Sequence, residues 1–291
     1  MPLPKEVLIK EMCPRDGLQT EGPSFIPTTE KVKLCNMLTD AGFRYLEVTS
    51  FAHPKWIPQL ADNKDVYAAM NKKDGVTYAV LVPNVKAAQL AVAAGAQEIA
   101  AIVSSSESHC KSNLNTTIAE GLKAVEEVAG IGKASGAKVR AYISTPFGCP
   151  FEGHVDPHKV LEIAQAMESF GIYEVCLGDT TGMASPISAY QVPKLLLDNL
   201  KTSGVAVHFH QCGGIEYANV LAALQAGVRV FDSAVGGLGG CPYAPDSLGN
   251  VDTVQLLELF ERMGVKTNVD KSAAAKAAEF AWELSRLARN S

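Results

Sequence analysis

Two histidines separated by one residue, His208 and His210 in the stretch HFHQCGG, follow the strand-like run GVAV. Residues i and i+2 of a strand face the same way, about 7 Å apart at Cα, so two imidazoles placed there can converge on one cation. For an isolated His-x-His, a hydrogen-bonded core pair is the plainer alternative. The company these two keep tips the balance. Asp16 in CPRDGLQTEG and Asn250 in GGLGGCPYAPDSLGN each follow an apolar run of their own. Two imidazoles, a carboxylate and an amide suit a borderline-to-hard divalent ion with positions left open for substrate and water. The seven cysteines show no CxxC pair, which argues against a structural zinc site.

Further groups fall at comparable places. Arg15 and Gln19 flank Asp16. Glu47 and Thr49 lie in YLEVTS, Arg140 and Tyr142 alternate on one face of KVRAYIS, and Asp179 closes EVCLGDT. Cys241 stands in GGLGGCPYA, a stretch that lacks GxGxxG and follows the last strand. It therefore reads as a mobile loop presenting a thiol, not as a phosphate cradle. A thiol with an ordinary pKa of about 8.5 can serve as acid or base when its surroundings tune it. Cys13, Cys35, Cys110, Cys149, Cys176 and Cys212 read as packing residues.

The elements that must position these groups are eight apolar, β-branched runs, at 7–12, 45–50, 77–83, 98–104, 138–144, 174–180, 204–210 and 228–235. Helical stretches alternate with them, for example 28–42 and 158–171, and several end in glycine. Buried strands alternating with helices make a parallel sheet. Eight such units give a (β/α)₈ barrel, an α/β fold, with an open doubly wound sheet as the rival. No linker or composition break appears, so residues 1–291 form one domain, with 272–290 as an additional amphipathic C-terminal helix. In a barrel of this kind the chemistry sits at the C-terminal ends of the strands, and six of the eight runs deliver polar groups to that rim. The net charge of −5 is spread without blocks, which argues against nucleic acid or an anionic membrane as partner. The odd, unpaired cysteine count points to a reducing compartment. A strand already begins at residue 7, and no run can span a bilayer. The expectation is a soluble cytoplasmic protein with a small-molecule partner, its self-association left open.

The motifs PRDGLQTE, YLEVTSFAHPKWIPQLAD, GCPFEG, LGDTTG, HFH and GLGGCPYAPDSLGN resemble those of the 3-hydroxy-3-methylglutaryl-CoA (HMG-CoA) lyase family. This is a family of metal-dependent lyases on TIM barrels. The resemblance runs from residue 7 to about 265. It implies retro-Claisen cleavage of an acyl-CoA, with Asp16, His208, His210 and Asn250 holding Mg²⁺ or Mn²⁺. It further implies Arg15 near the thioester oxygen, Glu47 and Asp179 around the metal and hydroxyl, and Cys241 on a closing loop. Gln19, Thr49, Arg140 and Tyr142 are then expected to bind substrate.

Three positions depart from the family pattern. Gly22 stands where a lysine is common, Gln211 where an aspartate is common, and Val254 where an acid is common. These losses of charge suggest a roomier, less charged mouth, and so a lyase for a bulkier 3-hydroxyacyl-CoA as an alternative. A Claisen-type synthase and a silent CoA-binding relative are more distant alternatives.

Overall fold

The structure, a computed structural model, describes residues 3–240 and 248–290. Eight parallel strands close into a barrel: β1 (Leu8–Glu11), β2 (Tyr45–Ser50), β3 (Thr77–Leu81), β4 (Glu98–Ser104), β5 (Lys138–Ser144), β6 (Glu174–Asp179), β7 (Gly204–Phe209) and β8 (Val230–Ser233). Closure comes from β1 against β8, with Leu8 beside Val230 and Lys10 beside Asp232. The helices are α1 (Thr28–Asp40), α2 (Asn63–Ala69), α3 (Val85–Ala93), α4 (Glu107–Leu114), α5 (Ile118–Ser135), α6 (Pro157–Ser169), α7 (Pro186–Asn199), α8 (Ile215–Ala226), α9 (Thr253–Arg262) and α10 (Lys271–Asn290). Local signals set their ends. Thr117 and Glu120 form a reciprocal capping box on α5, and Asp156 caps α6 just before Pro157.

The main apolar core lies between sheet and helices, where outward-facing residues such as Ile99, Ala101, Val103, Val175, Leu177 and Phe231 are buried. The C-terminal helix α10 lies outside the barrel against α1 and α9. It buries Ala274, Ala277, Ala281, Leu284 and Ala288, a stripe at helical spacing.

The barrel interior departs from the apolar filling expected of this fold. Its lower half is a ladder of buried charges. Lys10 Nζ lies 2.7 Å from Glu174 Oε1, Arg140 Nε lies 2.7 Å from the same oxygen, and Arg140 Nη2 lies 2.6 Å from Asp232 Oδ1. Buried charges persist only when paired, and each of these is.

Glu11 faces outward at the end of β1 and is fully buried. Its Oε1 accepts the N–H groups of Cys13 (2.9 Å) and Val235 (3.0 Å), and its Oε2 accepts the Thr253 hydroxyl (2.7 Å). It thereby fastens the exits of β1 and β8 to the start of α9. Burial pushes its carboxyl up to about 8, against the pull of those donors. A group whose folded-state pKa is raised loses stability as pH climbs from its unfolded value, near 4.5, to the folded one. Glu11→Gln keeps the acceptor and replaces the acidic proton with an amide donor. Its melting temperature is expected to match the parent near pH 4.5 and to exceed it increasingly up to pH 8, as a thermal melt series will show.

Candidate metal centre and acyl-CoA pocket

The exit of β1 folds into a π-helical turn over Cys13–Gly17, in which the N–H groups of Arg15 and Asp16 both reach Met12 O. This turn brings Arg15 and Asp16 over the barrel mouth. His208 is next to last in β7, and His210 follows the strand, bridged to Asn250. The ligand atoms of Asp16, His208 and His210 lie within 4.8 Å of one another, and all three residues are buried.

The hydrogen bonds around this cluster fix its chemistry. His210 Nδ1 lies 2.7 Å from the carbonyl of Leu248, which can only accept, so Nδ1 carries the proton. His208 Nδ1 lies 3.3 Å from Asp232 Oδ2 and donates there in the same way. Both Nε2 atoms are then lone-pair acceptors, and they face each other at 3.3 Å. Burial pushes the His210 ring down to about 4, which keeps it neutral. Asn250 donates through Nδ2 to Asp16 Oδ2 (2.6 Å) and to Leu238 O (2.9 Å). Its Oδ1 is buried with no partner among the described residues. Burial alone would raise the Asp16 carboxyl, but Arg15, the two histidines and the Asn250 amide together outweigh it and hold the group below the usual range. Facing lone pairs, a carboxylate and an orphaned amide oxygen repel or strand one another unless a cation lies among them. The donor set fits a divalent ion.

Arg15 sits beside the cluster. Its Nε bonds Glu47 and its Nη1 bonds Asp16, with the guanidinium 5.9 Å from the Tyr142 ring centre. Burial opposes its charge, yet Glu47 and Asp16 together raise its pKa further. Tyr142 in turn donates to Glu47 Oε2 at 2.9 Å. Gln19 Nε2 bonds Asp16 Oδ1 (2.7 Å) and Gly240 O (3.2 Å). Above lies a cavity of about 510 Å³, floored by Arg15, Asp16, Tyr142, Ser144, His208 and His210. It runs out past Ser50, His53, Asn84 and Asn113. Such a volume suits an extended organic ligand.

A family model described as HMGL-like matches residues 6–281. The chain belongs to the HMGL-like family. A hydroxymethylglutaryl-CoA lyase of Bacillus subtilis is 43% identical over 97% of this chain and 94% of its own length. A crystal structure of a B. subtilis HMG-CoA lyase superposes with a TM-score of 0.94 at 42% identity, covering 100% of this chain and 97% of the other. An Acinetobacter baumannii HMG-CoA lyase, solved with coenzyme A and 3-methylmalate, superposes with a TM-score of 0.92 at 34% identity, over 99% and 96% of the two chains.

Several residues expected at the site lie away from the cavity wall. Arg140 was expected at the substrate, but it is fully buried below the floor, joined to Tyr142, Glu174 and Asp232. It braces the site from beneath. Thr49 is also absent from the cavity wall. Between Glu47 and Thr49 the β2–β3 register shifts, with Glu47 beside Ala79 but Thr49 beside Val80. Such an irregularity changes which side chains face inward, and Ser50 lines the cavity instead. Asp179 is displaced likewise. Gly178 and Thr180 line the wall, while Asp179 Oδ1 accepts the N–H groups of Met183 (2.9 Å) and Ala184 (3.0 Å) and shapes the loop after β6. Glu47 reaches the site only through Arg15 and Tyr142. Cys241 lies outside the described residues.

Of the three departures, Gln211 and Val254 lie off this cavity, and Gly22 lines an adjoining one that shares Gln19, Trp56 and Gly240 with it. Gln211 Nε2 ties Gly237 O (3.1 Å) to Asn250 O (3.0 Å), and Val254 packs against the apolar core. Gly22 meets the end of α10. Sequence reasoning overlooked Asp232, the partner of His208. Its signal was an acid in an apolar strand, VRVFDSAV, at the inward phase shared with Lys10. Among the described residues no helix is long and apolar enough to cross a membrane.

Proposed function

We propose that this chain cleaves 3-hydroxy-3-methylglutaryl-CoA to acetyl-CoA and acetoacetate. The observation that carries the reading is the pair of facing Nε2 atoms beside Asp16 and the orphaned Asn250 Oδ1, set on the floor of a cavity with room for the acyl end of an extended ligand. The relatives named HMG-CoA lyase support the choice of substrate. Asp16, His208, His210 and Asn250 would hold Mg²⁺ or Mn²⁺, which when bound acts as a Lewis acid toward the substrate's hydroxyl and carbonyl oxygens.

The protein's own groups supply the rest. His208 and His210 turn their Nδ1 donors to Asp232 and Leu248, which leaves both Nε2 atoms facing the site. A base takes the C3 hydroxyl proton, C3 becomes the ketone carbonyl of acetoacetate, and the electron pair of the broken C2–C3 bond passes to the thioester as the enolate of acetyl-CoA. Arg15, with Nε and Nη1 anchored, has Nη2 left to donate to the enolate oxygen as charge develops there. The enolate carbon then takes a proton, and Cys241 is our candidate donor. Gln19 spans from Asp16 to Gly240, so it links the site floor to the loop that leads into Cys241.

The test is release of acetyl-CoA from HMG-CoA by purified protein. Activity is expected to vanish after EDTA treatment and dialysis and to return with Mg²⁺ or Mn²⁺. Full turnover in excess chelator would refute the metal assignment, and no release with either ion would refute the reaction.

A further inference from the structure

We propose that Arg289, in the last turn of α10, is a positioning residue for the loop that carries Arg15, Asp16 and Gln19. Its kinetic consequence rests on the lyase reading, and its cause rests on geometry. The end of α10 grips residues 21–24 in three independent ways. The Glu21 carboxylate, only 2% exposed, accepts the Ser285 hydroxyl (2.6 Å) and Arg289 Nε (2.9 Å) at Oε2, and Arg289 Nη2 (3.1 Å) at Oε1. The Ser24 N–H donates to Ala288 O at 3.1 Å, satisfying a carbonyl that has no following turn of helix to bond it. At Gly22, where φ is +27°, a Cβ would lie 2.1 Å from Ala288 O, so glycine alone lets the two backbones touch.

The electrostatics make Arg289 the member that matters. A buried carboxylate at the C-terminal end of a helix meets the negative pole of the helix dipole. Without a cation it is both desolvated and repelled. Arg289 answers both terms with a two-pronged, charge-assisted contact. Loss of that contact drives Glu21 toward water, and the loop moves with it. The route to the site is short. The Glu21 N–H donates to Leu18 O, and Gln19 holds Asp16 Oδ1. The same helix lays Trp282 over Gly236, in the turn after β8 that leads to Gly239 and Asn250. One helix therefore fastens both loops whose residues, Asp16 and Asn250, meet at 2.6 Å in the donor set.

The test compares the full-length parent with Arg289→Ala, Arg289→Lys and Ser285→Ala. The Arg289 side chain is 56% exposed, so its variants are expected to fold. In metal-free protein, amide exchange across residues 13–24 should quicken in Arg289→Ala while the barrel strands keep their protection. Mn²⁺ affinity, read by electron paramagnetic resonance, should fall about tenfold, the scale seen when the support of a metal ligand is removed. Turnover should fall in step. Arg289→Lys, which keeps the charge but not the fork, should fall between parent and Arg289→Ala, and Ser285→Ala should lie nearer the parent. If loop exchange and Mn²⁺ affinity in Arg289→Ala match the parent, the proposal is wrong. If the parent itself releases no acetyl-CoA, the lyase reading fails, while exchange and Mn²⁺ binding still decide the role of Arg289.

Discussion

Arg15→Lys is expected to lower kcat by about 10²–10³-fold, the cost of removing one preorganised oxyanion donor. The charge survives this substitution, and the geometry does not. In the parent, one planar guanidinium bonds Glu47 through Nε and Asp16 through Nη1 at the same time. Those two anchors fix the guanidinium at the cavity, which Arg15 lines together with Tyr142 and His208. A lysine ammonium is a point charge on a flexible stem, and it cannot bond both carboxylates and still present a fixed donor to substrate. It will settle on one carboxylate and leave the other, buried, without its partner. Two measurements separate the outcomes. Steady-state kinetics should show the loss mainly in kcat, since the enolate oxygen bears its charge only late in the reaction. Mn²⁺ titration should show a smaller loss, because Asp16 keeps Asn250 and Gln19. An Arg15→Lys enzyme within a few-fold of the parent would mean that Arg15 contributes only diffuse charge.

The barrel was legible in the sequence because its outer core is plain. Residues such as Val103 and Leu177 sit in unbroken β-branched runs, and every expected strand matches an observed one to within two residues at either end. The cluster of Asp16, His208 and His210 that could hold a metal was legible for a related reason. His208 and His210 obey the period of two, and strand ends in a barrel share one rim. What stayed hidden depends on contacts between distant segments. The register shift at Val48 exchanges Thr49 for Ser50 at the cavity, and nothing in YLEVTS marks it. Arg140 alternates with Tyr142 as expected, but one step down the strand places it beneath the floor, where Asp232 and Glu174 claim it. Gly22 read as a missing lysine in the mouth, whereas a side chain there would strike the backbone at Ala288, far away in the chain. A carboxylate such as Asp179 can shape a loop or face a ligand, and its letter does not say which.

Cys241→Ser is expected to reduce turnover by about 10²–10⁴-fold, the range of a lost general acid–base group. The step at issue is proton delivery to the enolate carbon of acetyl-CoA. A thiol titrates close enough to neutrality to give up its proton and regain it each cycle, whereas a serine hydroxyl is far too weak an acid. The residues just before Cys241 show how near the chain passes to the reacting centre. Gly239, with φ at +114°, leaves so little room that a Cβ would lie 2.4 Å from Asn250 Nδ2 and 3.0 Å from Asp16 O. Gly240 lines the cavity, and its carbonyl takes the Gln19 amide. Since Cys241 is no part of the donor set, Mn²⁺ affinity and melting temperature should stay at parental values in both Cys241→Ser and Cys241→Ala. The two variants should also be about equally slow, because neither offers a usable proton. Retention of most of kcat by either one would remove the thiol from the mechanism and leave the enolate to be protonated by another group or by water.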